Sequence, residues 1–414
     1  MAKGVQYNAN QPEGGMNPIR RESLRWMSGL GLTGFWPAAS ALGQTGRPAG
    51  PSFSKDLVRA SRNKGFTVRT LVSGLANPWS VAWLPSGELL VTERAGRLRL
   101  ISKDFSLDPS PIKGLPGVTA SGQGGLFDLA IHPRYRQNGW VYLSFAEASM
   151  PGRMAASGTA LIRGRLAGGG LVDIERLFSM HPRSRGGRHF GGRIVLDGRG
   201  YVYLTLGDRG EEDRAQKPND HAGTVVRLHE DGRIPQDNPF VNQPDTPPEV
   251  FSRGHRNIQG AALHPATGEL WTHEHGPQGG DELNIVRSGK NYGWPTITYG
   301  VNYVTGTRIG EGTAKAGLEQ PVHVWVPSIA PSGLAFYEAD AFPAWRGSLF
   351  IGALREQTLV RLQLNGSRVV AEERLLTQEV GRIRDVRVGP DGLVYLLTDD
   401  STDGRLLRLE PAGG

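Results

Sequence analysis

The sequence predicts an all-β protein, a six-bladed β-propeller of four-stranded antiparallel blades. Glycine and proline account for 58 and 28 of the 414 residues, about a fifth in all, which indicates many turns. From Leu75 onward one pattern recurs six times: an alternating apolar strand, a turn with glycine, and a second strand rich in Val, Leu and Tyr. Helical periodicity is hard to find anywhere in the chain.

The six repeats keep their internal pattern while the connections between them vary in length. Their turn glycines are Gly87, Gly139, Gly198, Gly268, Gly347 and Gly392. The last repeat shows about three strands, and a strand-like run at 66–71 precedes the first. We predict that this run completes the last blade and closes the ring, which removes exposed sheet edges. Residues 65–414 then form one propeller domain; a β-sandwich or two separate sheets is the alternative.

The N-terminal residues differ from the repeats. Arg20 and Arg21 stand ahead of an uncharged stretch, 26–43, that contains several glycines and ends in small residues. This arrangement is typical of a twin-arginine export signal, with an ordinary disordered N-terminus as the alternative. We therefore predict a signal at 1–43, a flexible lead-in at 44–64 and a periplasmic or secreted protein. No later segment is apolar enough to cross a bilayer, so no membrane span is expected in the mature protein.

The composition excludes several classes of function. There is no cysteine, which excludes disulfides, thiolate nucleophiles and metal sites built on sulfur. The net charge of +7 comes from scattered basic residues, so nucleic acid is not an expected partner. The chain lacks the G-x-S-x-G and H-E-x-x-H hydrolase motifs, and no G-x-G-x-x-G joins a strand to a helix. Nucleophilic hydrolases and nicotinamide or flavin enzymes are therefore disfavoured.

Polar residues precede the first strand of most repeats, and in a propeller these positions converge at one end of the central channel. They comprise arginines, amides and a histidine. Arginine forks suit carboxylates or phosphates, so their convergence predicts an anionic ligand. Structural ion pairs with Asp208, Asp385 or Asp399 are the alternative. The segments concerned are 121–123, 188–192, 253–259, 331–332 and 382–385.

His189 lies in a glycine-flanked segment of this predicted ring. An imidazole near its ordinary pKa is a suitable general base, although a single histidine is more often structural. His273 and His275 alternate along a predicted strand and could place two imidazoles on one metal ion, but no third ligand is evident. The loop 276–282 offers backbone carbonyls and carboxylates, which is the oxygen environment that Ca²⁺ prefers.

Several segments occur together in a specific order: HFGGRIVLDGRGYVYLTLGDRG, RGHRNIQGAALHP, EHGPQGGDELN and RIRDVRVGPDGLVYLLTD, which begin at His189, Arg253, Glu274 and Arg382. With them, the chain resembles the soluble quinoprotein glucose and aldose sugar dehydrogenases and their sorbosone dehydrogenase relatives from about 71 to 409. The resemblance implies a six-bladed propeller. It also implies pyrroloquinoline quinone (PQQ), a planar tricarboxylate, bound over the channel with Ca²⁺.

The resemblance assigns roles at the reacting centre. It implies that His189 is the general base that takes the proton of the anomeric hydroxyl while the C1 hydride passes to C5 of the quinone. Arg256 would stabilise negative charge at the quinone carbonyl, with Asn257 assisting. The backbone carbonyls of Gly276 and Pro277 would bind Ca²⁺, which polarises the quinone as a Lewis acid.

The same resemblance names residues around this centre. Arg382 and Arg384 match residues that hold the cofactor carboxylates, and Arg355 stands where the glucose enzymes have a lysine. Asp281 would lie behind the calcium ligands without binding the ion. Gln123 would contact the cofactor.

On the substrate side, the resemblance implies that Gln123 and Trp325 line the sugar pocket. Arg188 replaces an acidic residue of the glucose enzymes, and Asp213 lies about where they carry a sugar-contacting glutamine. Glucose specificity is therefore not implied. The spacer loops are shorter than in the dimeric glucose enzymes, which favours an open cleft, a broad range of aldoses or oligosaccharide ends, and a monomer.

The sequence thus predicts a periplasmic PQQ- and Ca²⁺-dependent enzyme that oxidises the C1 hydroxyl of aldoses to lactones and passes electrons to an unidentified acceptor. A sorbosone or aldehyde dehydrogenase using the same cofactor is the first alternative. A non-catalytic propeller that binds carbohydrate or protein is the second. A propeller lactonase would need carboxylates at the channel mouth to hold its metal, whereas arginines predominate here.

Overall fold

Each repeat folds into a meander of strands, as its alternating pattern predicts. The computed structural model describes residues 51–53, 58–60, 65–150 and 155–412. The predicted export signal, 1–43, lies outside the described residues. In chain order the strands are β1 (Ser52–Phe53), β2 (Val58–Ala60), β3 (Phe66–Leu75), β4 (Pro78–Trp83), β5 (Leu89–Glu93), β6 (Arg97–Ile101), β7 (Leu126–Ile131), β8 (Trp140–Ala148), β9 (Ser157–Ala167), β10 (Gly170–Ser179), β11 (Gly191–Leu196), β12 (Tyr201–Leu206), β13 (Thr224–His229), β14 (Val250–Arg253), β15 (Ile258–Leu263), β16 (Leu270–Glu274), β17 (Asp281–Val286), β18 (His323–Trp325), β19 (Pro331–Tyr337), β20 (Ser348–Ala353), β21 (Thr358–Asn365), β22 (Arg368–Leu375), β23 (Ile383–Val388), β24 (Val394–Thr398) and β25 (Gly404–Pro411).

Within the described residues, helical structure is confined to short turns between these strands. They are the α-helix Tyr135–Asn138 and the 3₁₀ turns Glu212–Gln216 and Pro343–Trp345. None of the helices in the described ranges is long and apolar enough to cross a membrane.

The strands form six antiparallel blades. Blades two, three, four and five are β7–β10, β11–β14, β15–β18 and β19–β22. Blade one has three regular strands, β4–β6, and an isolated bridge between Leu98 and Ile112 takes the place of the fourth. Blade six consists of β23, β24, β25 and β3.

The ring closes as the sequence predicts. The inner strands β4, β7, β11, β15, β19 and β23 contact one another in that order, and β23 contacts β4. β3, from the start of the domain, pairs antiparallel with β25 from its end, with Phe66 opposite Pro411. The prediction that 66–71 completes the last blade is therefore confirmed, as is the six-bladed propeller.

The hydrophobic core lies between successive blades. Each of the six interfaces has its own cluster of buried apolar side chains, such as Leu143 and Leu98 between blades one and two, or Ile351 and Leu283 between blades four and five. A fully buried leucine contributes about 1.5–3 kcal/mol. Because every blade packs against two neighbours, the inner strands are held rigidly, and they can position side chains at the channel mouth.

Buried charges fill the channel axis. Asp128 of blade two and Asp385 of blade six face Arg193 of blade three and Arg387 of blade six, with ion-pair distances of 2.7–3.2 Å. Ser80 of blade one donates a hydrogen bond to Asp128 at 2.5 Å. We call these four charged residues the channel network. It joins blades two, three and six at the axis, directly beneath the cavity described below.

Two short strands lie within 44–64, where the sequence predicts a flexible lead-in. β1 adds parallel to β18 at the outer edge of blade four, and β2 adds parallel to β22 of blade five. The Ser52 hydroxyl lies 2.7 Å from Nδ1 of buried His323, whose Nε2 lies 2.9 Å from a Glu372 carboxylate oxygen. β1 and β2, which we call the strap, thus connect two blades through edge pairing that short segments without periodicity do not reveal.

Removing the strap is expected to lower the melting temperature by about 2–5 °C, since a few net hydrogen bonds contribute about 1–2 kcal/mol. The measurement compares a chain that starts at residue 65 with one that starts at residue 49. Ser52→Ala in the longer chain should show a smaller decrease. Equal melting temperatures for the two chains would mean that the strap does not stabilise the blades.

Candidate active site

The starts of the inner strands enclose a cavity of 350 Å³ at one end of the channel. All six blades contribute to its wall, as the sequence predicts for converging loops. Four of the predicted site residues line it. The lining comprises Asn77, Trp79, Arg94, Gly122, Gln123, Phe127, Phe190, Gly191, Asn257, Gln259, His275, Ala330, Leu354, Arg382, Arg384 and Asp399.

His189 forms a dyad with Asp208 beside this cavity. Nδ1 of His189 lies 2.6 Å from Oδ1 of Asp208, and the other carboxylate oxygen accepts a hydrogen bond from Trp294 Nε1 at 2.8 Å. The backbone N–H of His189 donates to Gln123 Oε1 at 2.8 Å. A carboxylate at Nδ1 keeps the proton on that nitrogen, so Nε2 carries the lone pair. The imidazole is therefore held as a proton acceptor.

The electrostatics of the dyad favour a neutral imidazole. Burial lowers the pKa of His189 below its ordinary value. The hydrogen bond that Nδ1–H donates to Asp208 opposes that decrease only in part. Burial alone would raise the pKa of Asp208. The hydrogen bond and charge of His189, the backbone N–H of Gly210 and the charge of Arg256 together outweigh this and lower that pKa. A neutral base beside an ionised carboxylate is ready to accept a proton at neutral pH.

Arg256 places a cation next to the dyad. Its Nη1 donates to the carbonyls of Gly276 at 2.7 Å and His275 at 3.1 Å, and its backbone N–H donates to Glu274 at 2.5 Å. The guanidinium lies 5.2 Å from the centre of the Trp294 ring. The same tryptophan thus contacts both Asp208 and Arg256, so the base and the cation share one support.

Asn257 and Gln259 form an amide row on the cavity wall. The side-chain oxygen of Asn257 accepts hydrogen bonds from the backbone of Gly191 and from Gln259, both at 3.2 Å. Gln259 in turn accepts a hydrogen bond from Arg384 at 3.4 Å. The amides therefore link the segment of the base to the arginines across the cavity.

The opposite wall carries excess positive charge. Arg382 and Arg384 both pair with Asp399, at 3.2 and 3.3 Å, and Asn77 donates to the same carboxylate at 3.1 Å. Burial lowers the pKa of Arg384. Arg94 lines the cavity too, with no ion pair to any acidic residue among those described. The expected ion pair with Asp399 exists, but one carboxylate balances two guanidiniums, and the wall remains suited to an anion.

Three predicted residues lie neither on the cavity wall nor at the dyad, Arg256 or the carbonyl loop. Arg355 is exposed on the rim, next to Leu354, which lines the cavity. Asp213 is exposed on the 3₁₀ turn Glu212–Gln216. Trp325 is fully buried in the core between blades four and five, because the alternation of β18 turns its ring inward against His323. The structure does not bring Asp213 or Trp325 into the cavity.

The loop that carries the predicted calcium ligands is braced by Asp281. One carboxylate oxygen accepts the backbone N–H of Gly276 at 2.9 Å, and the other accepts the Ser328 hydroxyl at 2.5 Å and the backbone N–H of Ile329 at 2.8 Å. Burial raises the pKa of Asp281 to about 6. A Cβ at Gly276 would clash with the Gly280 carbonyl, so the tight loop requires glycine there. Asp281 thus orients the loop from behind.

The two carbonyls already have hydrogen-bond donors. Arg256 donates to the Gly276 carbonyl at 2.7 Å, and the Tyr303 hydroxyl donates to the Pro277 carbonyl at 3.1 Å. A carbonyl oxygen has two lone pairs, so each can still bind a cation. The described residues contain no group of three or more His, Asp or Glu that could hold a metal by themselves.

His273 and His275 do not form the two-histidine metal site considered as an alternative. His275 Nε2 lies 2.7 Å from the Pro331 carbonyl and its ring lines the cavity, whereas His273 is fully buried below it, with Nε2 3.5 Å from the Gly333 carbonyl. Burial lowers the pKa of each to about 3. Both imidazoles are therefore neutral structural acceptors or donors.

The low pKa of His273 predicts acid sensitivity. Its folded pKa of about 3 lies below the ordinary value of about 6.5, so its stabilising effect is present above pH 6.5 and is lost as the pH falls toward 3. We expect His273→Gln to make the decrease of melting temperature between pH 6.5 and 4 shallower. His264→Gln, on the same blade, is the control. Parallel profiles for wild type and His273→Gln would contradict the assignment.

Asp208 enters the sequence analysis only as an alternative ion-pair partner of the arginines. In the structure it orients His189 instead. Trp294, in the segment NYGWP, and Asn77, before the first inner strand, were not predicted at all. Asp208 follows the second strand of blade three, Asn77 precedes the inner strand of blade one and Trp294 lies in a spacer loop, and these positions are the available signal.

A propeller with a histidine–carboxylate dyad and an arginine-rich cavity at its channel mouth has the arrangement expected of an enzyme whose cavity accepts an anion. The family model described as Glucose / Sorbosone dehydrogenase matches residues 75–408. The aldose sugar dehydrogenase YliI of Escherichia coli (strain K12) is 44% identical over 349 residues, which cover 83% of this chain and 92% of that protein.

Solved structures agree. The soluble aldose sugar dehydrogenase of E. coli in its apo-form matches with a TM-score of 0.80 at 43% identity, covering 84% of this chain and 100% of that one. The PQQ-bound aldose sugar dehydrogenase of Streptomyces coelicolor matches with a TM-score of 0.67 at 29% identity, covering 84% and 100%. The chain belongs to the glucose/sorbosone dehydrogenase family, and it is an oxidoreductase that acts on sugars.

Proposed function

We propose that the protein oxidises the C1 hydroxyl of aldoses to lactones with PQQ and Ca²⁺ and passes the electrons to an unidentified acceptor. The observation that carries this proposal is the His189–Asp208 dyad beside an arginine-rich cavity. PQQ supplies a two-electron acceptor for the C1 hydride when it is bound, and Ca²⁺ supplies Lewis-acid polarisation.

The residues present fit a planar tricarboxylate. Arg382 and Arg384 share one carboxylate and so retain capacity for an anionic ligand, while exposed Arg355 on the rim adds a third guanidinium. The amides of Asn257 and Gln123 provide further polar contacts on the wall. PQQ would lie between these groups with its carboxylates toward the arginines.

Ca²⁺ fits as a shared ion. It prefers about six to eight oxygen ligands, and Gly276 and Pro277 offer two backbone carbonyls. The remaining ligands would come from the cofactor and water, since the described residues hold no acidic cluster at this loop. Asp281 keeps the carbonyl loop in place from behind.

The chain's own residues then handle the proton. Nε2 of His189 accepts the proton of the C1 hydroxyl, and Asp208 stabilises the imidazolium that forms. Arg256 contributes positive charge where negative charge develops during reduction. One proton and one hydride leave the sugar, which balances the two-electron oxidation of a cyclic hemiacetal to a lactone. Gln123 holds the backbone N–H of the base at 2.8 Å and faces the substrate side.

Location and assembly belong to the same proposal. Arg20 and Arg21 before the uncharged stretch 26–43 support twin-arginine export to the periplasm, which permits loading of the cofactor before export. The protein would act as a monomer with an open cleft that accepts aldoses or oligosaccharide ends. Fractionation of cells that produce the full chain, with and without Arg20→Lys and Arg21→Lys, tests the location.

The enzymatic test is dye reduction by the purified apo-protein with D-glucose and a panel of aldoses, with and without PQQ and Ca²⁺. We expect activity only when both are added. Activity with open-chain aldehydes but not with cyclic aldoses would favour the sorbosone-type alternative. Absence of PQQ binding by absorbance titration would contradict the proposal and favour a non-catalytic propeller.

A further inference from the structure

Arg209 is a buried cation directly behind the base. The residue follows Asp208 in the chain, and it is 1% exposed. Its guanidinium carbon lies 3.3 Å from the centre of the Phe190 ring, which lines the cavity. No acidic side chain among the described residues lies within ion-pair distance of it. Burial lowers the pKa of Arg209 to about 9. Burying an unpaired charge costs free energy of folding unless hydrogen bonds compensate for it, so the hydrogen bonds of Arg209 are informative.

Most donors of Arg209 reach the segment that ends at His189, while its Nε has no hydrogen-bond partner in the described part of the chain. Nη2 donates to the Gly186 carbonyl at 2.5 Å and to the Ser157 hydroxyl at 3.3 Å, and Nη1 donates to the Arg188 carbonyl. The backbone N–H of Arg209 donates to the His189 carbonyl at 3.3 Å. This arginine therefore binds three backbone carbonyls, those of Gly186, Arg188 and His189.

The peptide unit between residues 188 and 189 is held at both ends. Its carbonyl accepts a hydrogen bond from Arg209, and its N–H donates to Gln123 Oε1 at 2.8 Å. His189 itself has a φ of +51°, which is uncommon and strained for a residue with a side chain. Such a conformation persists only where neighbouring contacts enforce it. Arg209 and Gln123 supply those contacts from opposite sides.

We infer that Arg209 is a positioning residue for the proton transfer: by fixing the peptide before His189, it holds the imidazole in the left-handed backbone conformation that aims Nε2 at the substrate. The inference rests on the proposed function for its kinetic consequence. Its structural consequence, the position and environment of the His189 ring, does not depend on that function.

The test uses Arg209→Met, which keeps the packing volume on Phe190 but removes every side-chain donor, and Arg209→Lys, which keeps the charge but loses the planar fork. Arg361→Met is the matched control. Arg361 is also buried and donates to a serine hydroxyl, Ser348, at 3.1 Å, but it pairs with Glu373 at 2.7 Å and lies in blade five, outside the cavity wall. Three experiments are made on each variant. They are steady-state kinetics for kcat and KM, thermal unfolding for the melting temperature, and the pH titration of the His189 ring by NMR in the cofactor-free protein.

We expect Arg209→Met to lower kcat by about tenfold or more with little change in KM, because small misplacement of a catalytic group is costly. Its melting temperature should stay within about 2 °C of wild type, because the loss of the side-chain hydrogen bonds is offset by removal of a buried cation that has no acidic partner among the described residues. The His189 titration should shift in the variant. Arg209→Lys should fall between the two. Arg361→Met should show the opposite behaviour, a lower melting temperature with unchanged kcat.

An unchanged His189 titration together with wild-type kcat in Arg209→Met would overturn the inference. A fall of kcat in proportion to a fall of melting temperature would also overturn it, because that describes a structural role alone. Should Arg209→Met not fold, Arg209→Lys decides by the same criteria. If the wild-type protein lacks activity, the proposed function fails, and the NMR titration still decides whether Arg209 positions His189.

Discussion

His189→Asn should lower kcat/KM for aldose oxidation by about 10²–10⁴-fold, the usual contribution of a positioned general base. Asparagine keeps a donor that can face Asp208 but has no lone pair at the position of Nε2, so the C1 hydroxyl loses its proton acceptor. The measurement is the initial rate of dye reduction with saturating PQQ and Ca²⁺. The cofactor should still bind, since the arginine wall is unchanged.

The pH profile checks the same assignment. Because burial lowers the pKa of His189, the neutral base persists below its ordinary value of about 6.5, and the acid limb of kcat/KM should lie below that pH. The hydrogen bond that His189 donates to the Asp208 carboxylate raises the pKa of His189. Asp208→Asn should therefore move the acid limb of kcat/KM to still lower pH while decreasing kcat. A His189→Asn variant within tenfold of wild-type activity, or an acid limb above pH 7, would assign the base to another residue.

The propeller could be predicted because each blade repeats a pattern long enough to recognise. The closure by β3 followed from a count of strands, since the last repeat lacked one and 66–71 stood unpaired. The strap could not be predicted in the same way. β1 and β2 have two and three residues, too few for any period, and they pair parallel to edges that lie far along the chain.

The partners at the site follow a register that the sequence contains. In each blade the residue before the inner strand lies beside the residue after the second strand, because the two are antiparallel. Gly191 pairs with Leu206, which brings His189 to Asp208, each two residues beyond the pair. Ile383 pairs with Thr398, which brings Arg382 to Asp399. The register alone places the base opposite residue 208 or 209, because a β-bulge between Gly191 and Ile194 shifts the pairing by one residue.

Side-chain direction at strand ends is harder to predict. Trp325 ends β18, whose three residues are all buried, and its ring packs into the core between blades four and five. Asp213 lies in a spacer loop, on a 3₁₀ turn that is too short for a hydrophobic periodicity in the sequence to predict. The sugar contacts predicted for Asp213 and Trp325 rest on the resemblance rather than on register.

Asp128→Asn is expected to lower the free energy of unfolding by about 3–5 kcal/mol, the effect of breaking a buried ion pair by removing one partner. Asp128 lies at the centre of the channel network, with Arg387 at 2.7 Å and Arg193 at 3.2 Å. Asparagine keeps the shape of the side chain. It leaves the guanidiniums of buried Arg193 and partly buried Arg387 with Asp385 as their one carboxylate partner in the channel network. Since the network joins three blades at the axis, the ring loses the contact that holds these inner strands together. Urea unfolding followed by tryptophan fluorescence measures the change.

The pH dependence of this loss distinguishes the charge from the shape. Burial alone would raise the pKa of Asp128, but the charges of Arg387 and Arg193 outweigh it and lower the pKa. The stabilisation is therefore present above the ordinary value of about 4 and is lost as the pH falls through the folded pKa, so wild type and Asp128→Asn should converge in acid. Asp173→Asn, which removes an exposed partner of Arg165 at 2.9 Å, should change stability by less than about 1 kcal/mol. Equal losses for Asp128→Asn and Asp173→Asn, or a difference between wild type and Asp128→Asn that does not narrow as the pH falls below about 4, would mean that packing rather than the buried charge pairs holds the axis together.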